Sequence, residues 1–163
     1  MKHIMFARWE IECDQETTRD LFSRVQSGAP ETCGCIPCRN FAAAREQLYP
    51  VDVIQLLDSL GIPHDREAEV YHTHRIRPRR HGYGGWFHFV GRIVGGLDAC
   101  KQIGTTKDAP VWGFDLEKVS AEFKMGFTQR IGLLKEPFQG HPIVQIEFQA
   151  TVPWVLTEEE PES

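Results

Sequence analysis

"VQIEFQATV", residues 144–152, decides the fold. Val144, Ile146, Phe148, Ala150 and Val152 take every second position, and Gln145, Glu147 and Gln149 fill the places between. Successive side chains of a strand point to opposite faces, so a strict period of two predicts a strand with one apolar and one polar face. The pattern recurs upstream, where Val119, Ala121, Phe123, Met125 and Phe127 alternate with Lys118, Ser120, Glu122 and Lys124. Two strands that each keep one wet face predict an antiparallel sheet covered on the other face.

Working outward, the same period continues toward the N-terminus. Ala68, Val70, His72, His74 and Ile76 alternate with Glu69, Tyr71, Thr73 and Arg75. In "WFHFVGRIV", residues 86–94, Phe87, Phe89 and Ile93 oppose Trp86, His88, Val90 and Arg92. Residues 4–13 also alternate and read as one half-buried strand, while residues 95–110 read as a connection without pattern. The period is helical in between. Asp14 is an N-cap residue for a helix carrying Leu21, Phe22 and Val25. Pro37 suits a first helical turn, with Cys38, Phe41, Ala42 and Leu48 at helical spacing. Ile54, Leu57 and Leu60 share one side of a further helix that stops at Gly61. Helices cluster early and strands late, which predicts an α+β fold: an antiparallel sheet with helices packed on one face. One domain over residues 1–156 is expected, followed by an acidic disordered tail, "TEEEPES", at 157–163.

The chain of 163 residues, 41% hydrophobic and 25% charged, is long enough to bury a core without a metal or disulfide staple. Its net charge of −5 argues against generic nucleic-acid binding. Neither a membrane span nor an export signal is read in the sequence. Five cysteines without an export signal suggest a reducing, cytoplasmic setting, where clustered thiols serve as ligands or nucleophiles more often than as disulfides.

Three of those cysteines fall within "ETCGCIPCRNF", residues 31–41. Cys35 and Cys38 have the Cys-x-x-Cys spacing of a zinc knuckle, and Cys33 adds a third sulfur. A second knuckle is absent, so a fourth ligand must come from afar; Cys13, Cys100, His72, His74 and His88 are the candidates. The same Cys-x-x-Cys at a helix start also suits a redox dithiol, since helix amides stabilise a thiolate. The plain alternative is that Cys38 belongs to the core beside Phe41 and Ala42.

Further on, His72 and His74 lie two apart on a strand, so both side chains are expected on one face, where His81 or His88 would join them around a metal. "RIRPRRHGYGGWFHF", residues 75–89, mixes Arg75, Arg77, Arg79 and Arg80 with Tyr83, Trp86 and Phe87. Arginines beside aromatics hold phosphates, carboxylates or single strands. With an acidic chain, a ligand site at Arg75, Arg77, Arg80, Trp86 and His88 for an anionic small molecule or a protein partner is the expectation. The alternative is a solvated loop whose glycines serve turn geometry.

"CGCIPCRNFAAAREQLYP" (33–50), "GYGGWFHFVGRI" (82–93) and "VPWVL" (152–156) together resemble an uncharacterised bacterial protein family. That family shares a Cys-x-Cys-x-x-Cys-x-Asn-aromatic segment and a Gly-Trp-aromatic-His-Phe-x-Gly strand. The resemblance implies a bacterial origin, and it transfers no activity and no functional residue. The function expected is that of a small cytoplasmic binding or regulatory domain with a structural zinc on the cysteine cluster. The alternatives are a thiol- or metal-dependent enzyme using Cys35 or Cys38 with a nearby histidine, and an immunity-type protein that blocks a toxin.

Overall fold

A computed structural model describes residues 1–163. The chain runs β1 (Lys2–Phe6), β2 (Trp9–Cys13), α1 (Gln15–Phe22), α2 (Ala29–Cys33), α3 (Ile36–Ala44), a 3-10 turn (Arg45–Gln47) and α4 (Val51–Leu60). The strands β3 (Glu69–Arg77), β4 (Arg80–Gly95), β5 (Cys100–Thr106), β6 (Ala109–Phe114), β7 (Glu117–Ser120), β8 (Phe123–Thr128) and β9 (Ile143–Pro153) follow. Seven strands form one antiparallel sheet in the order β1-β2-β4-β9-β8-β7, with β3 also paired to β4; β5 and β6 form a separate arm. The α+β expectation holds, with the helices on the sheet. No helix is long and apolar enough to cross a membrane.

Register explains which residues are buried. Tyr83, Gly85, Phe87 and Phe89 of β4 lie opposite Ala150, Phe148, Ile146 and Val144 of β9, and Phe123, Met125 and Phe127 of β8 continue the same face. This is the face the helices cover. Leu21 and Phe22 of α1, Phe41 and Ala44 of α3, and Val53, Leu56, Leu57 and Leu60 of α4 close over it in one contiguous core.

Five local readings change. Val119–Phe127 is not one strand, because a turn at Ala121 and Glu122 folds β7 back onto β8, with Lys118 opposite Lys124. Residues 4–13 are a hairpin and not one strand: Phe6 pairs with Trp9 across a turn at Ala7 and Arg8, and Ala7 takes φ 49°. Residues 95–110 are not patternless, because Cys100–Phe114 folds back on itself through Lys107 and Asp108, both at positive φ. The polar face of β9 is not uniformly wet, since Gln145 and Glu147 are each 2% exposed. The segment from Arg130 to Phe138 covers them, with Gly132 against the Trp86 ring and Phe138 beside His88. Finally, the acidic end is seated where a disordered tail was expected. Glu158 pairs with Arg39 at 2.9 Å, and Glu160 accepts from the Arg79 N–H at 2.9 Å and from Arg75 at 3.1 Å.

Candidate metal centre

Helix α2 opens on Gly28 with Pro30 in its first turn and ends at Cys33, where Gly34 adopts a left-handed conformation at φ 68°. That single residue reverses the chain. Cys35 becomes the N-cap of α3, and Pro37 and Cys38 fall in its first turn. A residue with a Cβ adopts this backbone at a cost, so a glycine between the first two cysteines has a geometric reason. As a result the sulfurs of Cys33, Cys35 and Cys38 all lie within 4.8 Å of one another. Around a tetrahedral zinc with sulfurs at about 2.3 Å, thiolates sit about 3.8 Å apart, so small side-chain rotations suffice to close on an ion.

The three thiols are not equivalent. Cys33 and Cys35 are exposed, whereas Cys38 is buried. Cys33 is held below the ordinary thiol range, first by the N–H of Cys35 and then by the neighbouring Cys35 and Cys38 thiols. Burial, with those same neighbours, pushes Cys38 up. Cys38 is buried yet lies outside the contiguous core. Its burial agrees with the plain core alternative, although it is not part of the contiguous cluster that holds Phe41.

The turn is held from three sides, by residues that spacing alone did not single out. Tyr83 of β4 donates its hydroxyl to the Pro37 carbonyl at 2.8 Å. Burial is the first cause that pushes this phenol up to about 12. Asn40, fully buried on α3, donates to the Pro153 carbonyl at 3.1 Å and accepts from the Val155 N–H at 2.8 Å, which clips α3 to the chain after β9. Arg45 donates to Glu31 at 2.7 Å and to Glu67 at 2.8 Å, tying α2 to the segment before β3. Glu67 accepts a further bond from the Tyr49 hydroxyl at 2.7 Å. The Asn-aromatic pair after Cys38 was visible in the sequence, but the partners that give Asn40 its role are more than 100 residues away.

None of the expected fourth ligands joins the cluster, because the group of mutually close donor atoms stops at three. Cys13 is fully buried in the core, donates to the Leu60 carbonyl at 3.4 Å, and is pushed up to about 11 by burial. Cys100 stands on the β5–β6 arm. His72 faces His81, with Nε2 and Nδ1 2.9 Å apart, and His88 Nε2 faces Gln145 Oε1 at 2.9 Å.

His72 and His74 do not share a face. A bulge at Thr73 pairs His72 with Tyr83 but His74 with Gly82, so His72 joins the helix-covered face while His74 points to the other and meets the Thr73 hydroxyl at 3.1 Å. One extra residue in a strand reverses the alternation beyond it.

The arginine-aromatic residues are likewise dispersed. Arg75 is paired with Glu160, and Arg77 and Arg80 stand 3.7 and 3.9 Å from Glu122. Trp86 lies six residues along β4 from Arg80, about 20 Å at strand rise, and His88 lies further still. The five do not converge on one ligand.

No family model, curated protein or solved structure matches the chain.

Proposed function

We propose that the protein is a small binding domain, cytoplasmic as its free cysteines suggest, in which Cys33, Cys35 and Cys38 hold a zinc ion that fixes the α2–α3 turn. The observation that carries this reading is the mutual approach of the three sulfurs to within 4.8 Å at a turn built by Gly34. Thiolate is the ligand zinc favours, and metal binding would release the thiol protons. Two of the sulfurs face solvent, which leaves the fourth position to water or to a donor brought by a partner, the arrangement of an open zinc site and not a closed one. A regulatory role would then lie in that fourth position.

The deciding experiment is elemental analysis of protein purified without chelator, combined with a count of reactive thiols before and after denaturation. One zinc per chain with the three thiols protected supports the reading, and cobalt substitution should then give sulfur-to-metal absorption that is lost in Cys35→Ser. Metal-free protein in which Cys35 and Cys38 oxidise reversibly replaces it with a dithiol enzyme. Metal-free protein with inert thiols removes both.

A further inference from the structure

The opposite face of the sheet carries a second polar centre, away from the cysteines. Glu147 of β9 is 2% exposed, yet no arginine or lysine pairs with it. The hydrogen bond its carboxyl accepts comes from the Gln145 side chain at 2.8 Å. Gln145 has no freedom to turn away. Its Oε1 accepts from the Gly132 N–H at 2.8 Å and faces His88 at 2.9 Å, so its amide nitrogen must point at Glu147. Glu147 lines an open cleft of about 680 Å³. Aromatic walls come from two elements, Tyr71 with Trp86 on β3 and β4, and Phe114 at the end of the β5–β6 arm; Ile131 and Gly132 complete the lining. Tyr71 and Trp86 are 6.3 Å apart between ring centres and tilted by 59°. Arg130 lies at the same cleft, but its guanidinium caps the Trp112 ring at 3.7 Å and forms no ion pair with Glu147.

A buried acid is usually paired with a cation of its own protein. Here the carboxyl is positioned by an oriented amide and walled by aromatic rings, and its cation is missing from the fold. Ring faces attract cations, so walls and floor favour the same kind of ligand. We propose that this cleft binds a small organic cation, an amine whose ammonium group pairs with Glu147 against the Tyr71 and Trp86 rings.

The charge chemistry follows from the surroundings. Burial pushes the Glu147 carboxyl up to about 7. The titratable and charged groups around it are Tyr71 from β3, His88 from β4, Cys100 from β5 and Arg130 from the loop after β8. Tyr71 and Cys100 are pushed up, first by burial, and His88 is pushed down by burial, whereas burial carries Glu147 up into the neutral range. An arriving ammonium would expel its proton. Affinity for an amine that stays protonated over this range should therefore rise roughly tenfold between about pH 6 and about pH 8, as the free carboxyl ionises.

Isothermal calorimetry with benzylamine tests this, with benzyl alcohol and benzoate as neutral and anionic counterparts. The expected result is saturable benzylamine binding with proton release near pH 7, the stated pH dependence, and at least a tenfold loss in Glu147→Gln. Benzoate preferred over benzylamine, benzyl alcohol binding equally well, or no saturable benzylamine binding overturns the proposal. Since Glu147 is buried, Tyr71→Ala serves as a second variant: Tyr71 is 41% exposed, so its loss should weaken benzylamine while leaving the melting temperature near that of the native chain. Unchanged affinity in both variants also overturns the proposal.

Discussion

Glu67 and Glu147 are equally buried, each 2% exposed, and they do opposite things. Glu67 is surrounded: Arg45 donates twice to its carboxylate, and the Tyr49 hydroxyl adds a third bond. Every lone pair that matters is used, and the product is architecture, since the same Arg45 holds α2 through Glu31. Glu147 has one amide donor and an open cleft in front of it. Burial of a charge is therefore not in itself the mark of a site. The mark is burial together with a missing partner.

The sharpest way to break this contrast is to give Glu67 the condition of Glu147. Arg45→Met should cost about 3–5 kcal/mol, because it leaves a buried carboxylate without its cation. Urea unfolding measures it, and a loss below about 1 kcal/mol would mean that Glu67 is no more committed than Glu147. Glu147→Gln should go the other way. The carboxyl titrates near 7 in the fold and near its ordinary 4.5 when unfolded. A raised folded value contributes stability below about pH 4.5 that is lost as pH rises through about 7. The variant should thus exceed the native chain by about 3 kcal/mol near pH 8 and converge with it near pH 4, as followed by denaturant melts at both. A gain that does not depend on pH would assign the effect to packing.

The cysteine turn offers a smaller test. Nothing lies within 4 Å of a Cβ built on Gly34, so Gly34→Ala should cost only the left-handed backbone, about 1–2 kcal/mol by thermal melting, with Gly34→Asn milder. The smallest effect belongs to the tail. Glu160 is held below the usual carboxylate range against its own burial, by the Arg79 N–H, His81 and Arg75. Glu160→Gln should leave global stability unchanged while carboxypeptidase trims residues 157–163 faster, an effect that high salt should reproduce in the native chain.

The sequence carried the sheet because Val144 to Val152 obey a period of two without interruption, whereas the same period through Val119 to Phe127 hid a turn at Ala121 and Glu122 that divides that stretch into β7 and β8. It carried the cysteine cluster because its members are neighbours along the chain. What it did not carry depends on single backbone events or distant partners. Ala7 and the Lys107–Asp108 pair turn hairpins without an Asn-Gly signal. The bulge at Thr73 separates His72 from His74 with no residue type to announce it. Glu147 sat in the polar half of the clearest strand, where alternation predicts water. It is buried by a loop, Arg130–Phe138, whose position no local pattern encodes.

Strand β4 spans 16 residues, with β3 and then β2 along one edge and β9 along the other. Its pairing with β3 closes over the short turn at Pro78 and Arg79, but Phe87 must wait for Ile146, 59 positions later. Folding order follows from that asymmetry: the β3–β4 hairpin can form early, while the apolar edge of β4 stays open until β9 is recruited. An open apolar strand edge is sticky. Refolding yield should fall as protein concentration rises, and pulse-labelled hydrogen exchange should protect the amides of β3 before those of β9.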